Sequence, residues 1–212
     1  MHHAQVAGTN LLLPRSKQRH GCIVRRLIHA MTVLHRYFTK WKIQVNINKT
    51  VAILFTKRRL PTPPALRFHL TDIPWSPHIR CLGLELDSKL LFTKHLNTVT
   101  HKATGVLLAL FPLLARDSTL SSHNKLTLYK LLIRPILTYA VPVWSNTSNT
   151  NYRHLQTLPS KCLRVIGNYP RRTPILLLHS TLNIEPIHEF IYRLSETFFH
   201  HCSTHRNHSS AE

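Results

Sequence analysis

"IPWSPHIRCLGLELDSKLLFTKHLNTVTHKATGVLLALFPLL" (residues 73–114) changes its apolar period partway along. Within "IRCLGLELD" (residues 79–87), Leu82, Leu84 and Leu86 alternate with other residues, the period of a strand that buries one face. From Thr93 the spacing turns helical. Leu96, Val99, Ala103, Val106, Leu107 and Leu110 form one stripe, and Thr93 is the predicted N-cap. The fold class predicted from this switch is α+β, a small antiparallel sheet followed by a helical region.

Toward the amino terminus, "WKIQVNINKTVAILF" (residues 41–55) puts Ile43, Val45 and Ile47 on one face of a strand. Asn48-Lys49 is the predicted turn, and Val51, Ile53 and Phe55 continue on a second strand. "KRRLPTPPA" (residues 57–65) is a proline-broken loop, after which Leu66, Phe68 and Leu70 alternate and Thr71-Asp72 offers another turn. Residues 42 to 87 are thus expected to form a mostly antiparallel sheet. Ahead of it Ile23, Leu27, Met31, Leu34, Phe38 and Trp41 recur at helical spacing, with Arg25, Arg26, Arg36 and Lys40 on the remaining side.

Toward the carboxyl terminus, Ser121 or Ser122 is positioned to cap a helix through Leu126, Tyr129, Leu132 and Ile136, kinked or ended by Pro135. Another runs from about Asn151 through Leu155, Leu158, Cys162 and Ile166, interrupted by Pro159 and stopped near Gly167 and Pro170. A last one starts near Pro186 and carries Ile187, Ile191, Leu194 and Phe198. The expected divisions are an irregular segment (1–21), the strand-bearing region (22–91), the helical region (92–199) and a frayed His-rich tail (200–212).

With 43% apolar residues among 212, the chain has enough to bury a core. Its 28 Lys and Arg against 8 Asp and Glu give a net charge of +20, which calls for a polyanionic partner. The cations are dispersed, suiting a folded groove better than a basic arm. Nucleic acid is favoured over a membrane surface. The longest apolar run, "VLLALFPLLA" (residues 106–115), is far short of the roughly 20 residues a bilayer requires, and no basic helix carries a clean apolar face with interfacial aromatics. No secretory signal is expected, so Cys22, Cys81, Cys162 and Cys202, which form no CxxC pair, are expected to be reduced.

Joining nucleotides takes paired carboxylates holding two divalent metals. The acids Asp72, Glu85, Asp87, Asp117, Glu185, Glu189, Glu196 and Glu212 are never adjacent. Glu85 and Asp87, two apart on one strand face, read as a solvated face and not as a metal site. His201 and His205 have helical ligand spacing but lack a second ligand pair, and the tail reads as histidine-biased. No metal site is assigned. The five glycines are isolated, which excludes a phosphate-binding Gly-rich loop. No GxSxG elbow occurs, and Cys162 sits in an apolar stripe where packing is its role.

Four stretches carry a resemblance. "RRLIHAMTVLHRYFTKWKIQVNINKTVAILFTKRR", the opening segment above, "NKLTLYKLLIRPILTYAVPVWSN" and "LQTLPSKCLRVIGNYP" resemble, in order and spacing, reverse transcriptases (RNA-directed DNA polymerases) of jockey-like non-LTR retrotransposons, in their C-terminal part. The match covers roughly residues 22 to 199. The resemblance implies the end of a polymerase palm with a primer-grip hairpin, then a thumb-like helical region. It places Lys49 where the family's lysine protonates the pyrophosphate leaving group, and Cys81, Leu82 and Gly83 against the primer backbone. Gly83 suits such an approach, since it has no side chain. Lys40, Lys42, Arg58, Arg59, Lys94, Lys125 and Arg134 are the cations assigned to nucleic-acid contacts. RNA template and DNA primer are the implied partners, and Mg²⁺ is the implied cofactor of full-length relatives, with none assigned to this chain.

The departure from the family lies upstream. Its aromatic-Ala-Asp-Asp motif falls at about "HAQVAGTN" (residues 3–10), where Ala4 or Ala7 matches the alanine and neither Gln5-Val6 nor Gly8-Thr9 supplies carboxylates. The earlier palm strand, the fingers and the endonuclease are not found either. Lys49 is accordingly expected to be a solvated turn cation in this chain, though it occupies a general acid's position. Three accounts stay open: an incomplete reverse transcriptase, a non-catalytic basic nucleic-acid-binding module, and a decayed reading frame. "KRR" (residues 57–59) is too short for a nuclear signal, so nucleus and cytoplasm remain alternatives.

Overall fold

The structure, a computed structural model, describes residues 5–6, 20–57, 66–68 and 71–204. It divides into a strand-bearing unit, residues 1–89, and a helical unit, residues 90–212. Mixed helix and strand make the chain α+β, as its period switch predicts.

In the strand-bearing unit the amphipathic segment forms α1 (His20–Lys40). It ends in a Schellman motif: Lys42 N–H donates to Thr39 O (3.2 Å) and Ile43 N–H to Phe38 O (2.8 Å). This closure requires a left-handed residue, and Lys42 takes that role at φ 54°. Glycine or asparagine usually does.

The chain then enters β2 (Gln44–Val45), which pairs with β1 (Gln5–Val6) in parallel. The hairpin expected at Asn48-Lys49 does not form. Ile47–Lys49 instead wind into a 3₁₀ turn, with Lys49 N–H bonded to Asn46 O (3.1 Å) and Thr50 N–H to Ile47 O (2.9 Å). The Thr50 hydroxyl also donates to Asn46 O (2.9 Å), local bonding that competes with a strand ladder. Ala52 then meets Trp75 in a single parallel bridge, its N–H bonded to Pro74 O (3.0 Å) and its carbonyl accepting from Ser76 N–H (2.9 Å), while Thr56 N–H bonds to Ser88 O (2.8 Å). Pro74 and Pro77 flank the bridge and have no N–H to extend it.

Two antiparallel pairs complete this unit. β3 (Leu66–Phe68) pairs with β4 (Thr71–Ile73), so Thr71 and Asp72 belong to a strand and not to the turn expected there. Leu70, expected on the first strand, lies outside the described residues. Leu66, Phe68 and Ile73 are buried and gather Leu27, Met31, Val45, Ile47, Ala52 and Trp75 around them. On the outer face Arg67 Nε donates to Asp72 (2.8 Å). β5 (His78–Cys81) and β6 (Leu84–Asp87) form a hairpin, as the resemblance implies and in place of the single strand that the leucine alternation suggests, with Cys81 opposite Leu84. The expected single sheet is therefore several short ladders.

In the helical unit, α2 (Thr93–Leu114) starts one residue earlier than a Thr93 cap would have it. Phe92, at φ 60°, is the N-cap and Thr93 is the first helical residue. Leu96, Val99, Ala103 and Leu107 are buried as the stripe predicts. Ser121 caps α3 (Ser122–Leu128), its hydroxyl accepting from Asn124 N–H at 3.2 Å. A π-helical turn over Tyr129–Ile133 leads into α4 (Arg134–Leu137). Pro135 has no N–H for the Leu131 carbonyl and its ring crowds that carbonyl, and the widened turn relieves both. It also resets the buried face to Lys125, Tyr129, Ile133 and Leu137, leaving Leu132, expected inside, exposed.

The short α5 (Val141–Trp144) precedes α6 (Asn149–Ile166), which Ser148 caps through Asn151 N–H. Pro159 does not interrupt α6. The helix runs through it, held by buried Leu155, Leu158, Cys162 and Leu163 on the same segment. α7 (Ile175–Thr181) and α8 (Ile187–Thr204) follow. α2 packs on α4 and α6, and α6 also meets α3, α7 and α8. His200, His201 and Cys202, expected in the frayed tail, are helical, while His205 lies outside the described residues.

Candidate nucleic-acid interface

Trp41 was expected to close the apolar stripe of α1, but the Schellman turn throws it outward, where it is 60% exposed. Its ring stands 6.2 Å from that of exposed Tyr37. Lys40 and Lys42 are exposed on the same helix end. Two aromatic faces beside two ammonium groups form a surface that suits nucleic acid, the rings for bases and the cations for phosphates. Helical periodicity hid this cluster. A signal that could have found it is the pair Lys40 and Lys42 around Trp41, since cations are favoured where a helix ends.

Lys49 is exposed on the 3₁₀ turn, which Ile47 anchors to the core shared with Trp75. Trp75 in turn leads into β5, so one small core ties the Lys49 turn to the hairpin of β5 and β6. At the hairpin's two-residue tip, Leu82 (φ 47°) and Gly83 (φ 81°) are both left-handed, as a type I′ turn requires. Leu82 was expected to share a buried face with Leu84 and Leu86. Instead it is 88% exposed while Leu84 is buried. Cys81 is half-buried at the strand end below it.

The five other assigned cations differ in their surroundings. Lys94 is exposed in the first turn of α2. Lys125 is not available: it is 5% exposed, and its ammonium donates to Ala115 O (2.6 Å), satisfying a carbonyl at the end of α2. Arg134 is also engaged within the fold, lying 3.9 Å over the Phe190 ring and 3.9 Å from Glu185. Glu185 binds Arg193 as well, holding that guanidinium charged. Arg58 and Arg59 lie outside the described residues.

Two carboxylates belong to the β5–β6 hairpin. Asp87 accepts from Lys89 N–H (3.2 Å), and Glu85 stands opposite Arg80 in the ladder. Among the described residues no group of three or more His, Cys, Asp or Glu could hold a metal ion. No described helix is long and apolar enough to cross a membrane. Within the helical unit, burial pushes the Cys162 thiol up to about 12 and raises the Tyr129 hydroxyl far above its ordinary range. Both are packing groups.

The chain is 28% identical over 170 residues to a probable RNA-directed DNA polymerase from transposon BS of Drosophila melanogaster, covering 80% of this chain and 19% of that protein. A probable RNA-directed DNA polymerase from transposon X-element of the same organism is 27% identical, over 79% of this chain and 18% of its own length. The RNA-directed DNA polymerase from mobile element jockey of Drosophila funebris is 24% identical, over 88% and 20%. The chain thus spans about a fifth of the length of the curated relatives it matches. No protein-family model matches it, and no solved structure matches it significantly.

Proposed function

We propose that this reverse-transcriptase-like region binds an RNA template paired to a DNA primer and does not join nucleotides by itself. Similarity to RNA-directed DNA polymerases of non-LTR transposons sets the class of partner. The observation that carries the reading is the exposed cluster of Tyr37, Lys40, Trp41 and Lys42 at the end of α1. In the proposal this cluster neutralises phosphates, and the Cys81-Leu82-Gly83 tip presses on the primer backbone, Gly83 allowing close approach.

The non-catalytic half rests on donor chemistry. Residues 5–6, one of two positions matching the family's aspartates, are Gln and Val, and β1 sets them beside β2, next to the Lys49 turn. An amide and an isopropyl group do not fit paired Mg²⁺ ions, so no step is routed through metal. Lys49 then has no leaving group to protonate and acts as a solvated cation.

Fluorescence anisotropy of a blunt RNA/DNA hybrid tests the binding. Affinity should fall steeply between 50 and 200 mM salt, by about a factor of ten or more if three phosphates are contacted. Joint Lys40→Glu and Lys42→Glu should remove most of it, while Lys49→Ala changes it less. Salt-insensitive binding, or full binding by the double variant, contradicts the proposal.

A further inference from the structure

The first turns of α6 and α8 enclose an open groove of about 560 Å³ lined by Asn149, Tyr152, Arg153, His188, Glu189 and Tyr192. We infer that this groove holds one unpaired nucleotide of a strand that continues beyond the hybrid. This deepens the proposed function and rests on it. The lining carries the complement of a nucleotide. Tyr192, 69% exposed, offers a ring for stacking. Tyr152 is pinned, its hydroxyl donating to the Ser145 carbonyl while burial raises its pKa, so its ring is a fixed wall. Arg153 is exposed with no ion pair among the described residues, a free guanidinium for a phosphate.

Glu189 supplies a base-edge acceptor. Its carboxylate reaches His188 only at 3.9 Å, leaving oxygen lone pairs for the exocyclic amino group of cytosine, adenine or guanine. Uracil and thymine have no such group. The surroundings favour a polyanion, since Lys and Arg outnumber Asp and Glu twelve to four between residues 90 and 204. Aromatic stacking with flanking cations is the recurring means of holding single strands.

Anisotropy compares a blunt RNA/DNA hybrid with the same hybrid carrying a single-stranded cytidine or uridine extension. The cytidine extension should tighten binding about tenfold, the scale of one stacked base. Tyr192→Ala and Arg153→Glu should each erase that gain and leave blunt-hybrid affinity unchanged, while Tyr192→Phe keeps it. Glu189→Gln should narrow the cytidine preference over uridine. Because Tyr192 and Arg153 are exposed, these variants should fold, checked by circular dichroism. An extension that adds nothing, or a gain that survives Tyr192→Ala, overturns the groove assignment and leaves the proposed function standing. Failure of both hybrids to bind overturns both.

Discussion

The strand-bearing and helical units bury apolar surface to very different degrees. Among the described residues, five buried apolar side chains belong to the first (Phe38, Leu66, Phe68, Ile73 and Leu84) and twenty to the second. The helical unit contains a fully buried tryptophan, Trp144, whose indole N–H donates to Tyr139 O (2.7 Å). The strand-bearing unit has ladders of two to four residues and leaves Trp41 outside. Short ladders with little core are stabilised mostly by side-chain contact with their surroundings. The difference teaches where stability resides: buried apolar side chains are concentrated in the helical unit, while the strand-bearing unit exposes Tyr37, Lys40, Trp41 and Lys42 beside a small core.

Substitution in the two cores should expose this contrast most strongly. Trp144→Ala is expected to cost about 3–5 kcal/mol in denaturant unfolding, whereas Phe68→Ala, in a smaller core that can collapse, should cost about 3 or less. Equal losses would erase the distinction. A second contrast is between buried and exposed lysines. Lys125→Met removes the donor from Ala115 O, with an expected loss of about 1–3 kcal/mol and no change in hybrid affinity. Lys40→Glu should do the reverse, lowering affinity with little effect on stability.

Burial of Cys162 makes the helical unit sensitive to alkali. Its folded pKa is raised to about 12 from an ordinary value near 9, so the unfolded chain ionises first. Stability is fully present below pH 9 and falls as pH rises from about 9 toward 12, by roughly 1 kcal/mol at pH 10. Cys162→Ala should flatten that slope in unfolding curves. Native Cys162 should also resist iodoacetamide, while exposed Cys202 reacts. The smallest effect is expected at Lys42. Two other Schellman closures use asparagine, Asn168 and Asn183, at the same left-handed position. Lys42→Gly should therefore stabilise the strand-bearing unit by about 1 kcal/mol in thermal unfolding.

Much of this architecture was legible from periodicity. The α+β class, the Ser121 start and the stripes of α2 and α6 follow from local spacing and capping chemistry, whereas the hairpin at Leu82-Gly83 was implied by the resemblance and the Ser148 start of α6 went unread. What was not legible depends on geometry that spacing does not encode. The Asn48-Lys49 hairpin gives way to a 3₁₀ turn, in which Thr50 bonds locally to Asn46, and Ala52 pairs with Trp75 instead. Pro135 shifts a helical face by inserting a π turn, and Pro159 does not, because packing on its segment keeps the helix whole. Lys125 looked like a surface cation, since nothing in sequence shows that an α2 carbonyl waits for it. The groove of Tyr152, Arg153, Glu189 and Tyr192 joins residues about forty positions apart and has no local signature.

The central claim is grip without polymerisation, and primer extension tests it most directly. The purified 212-residue chain, bound to a primed RNA template with Mg²⁺ or Mn²⁺ and all four deoxynucleotides, should retain the hybrid and leave the primer at its original length. A ladder of extended primers that dideoxynucleotides terminate would contradict it.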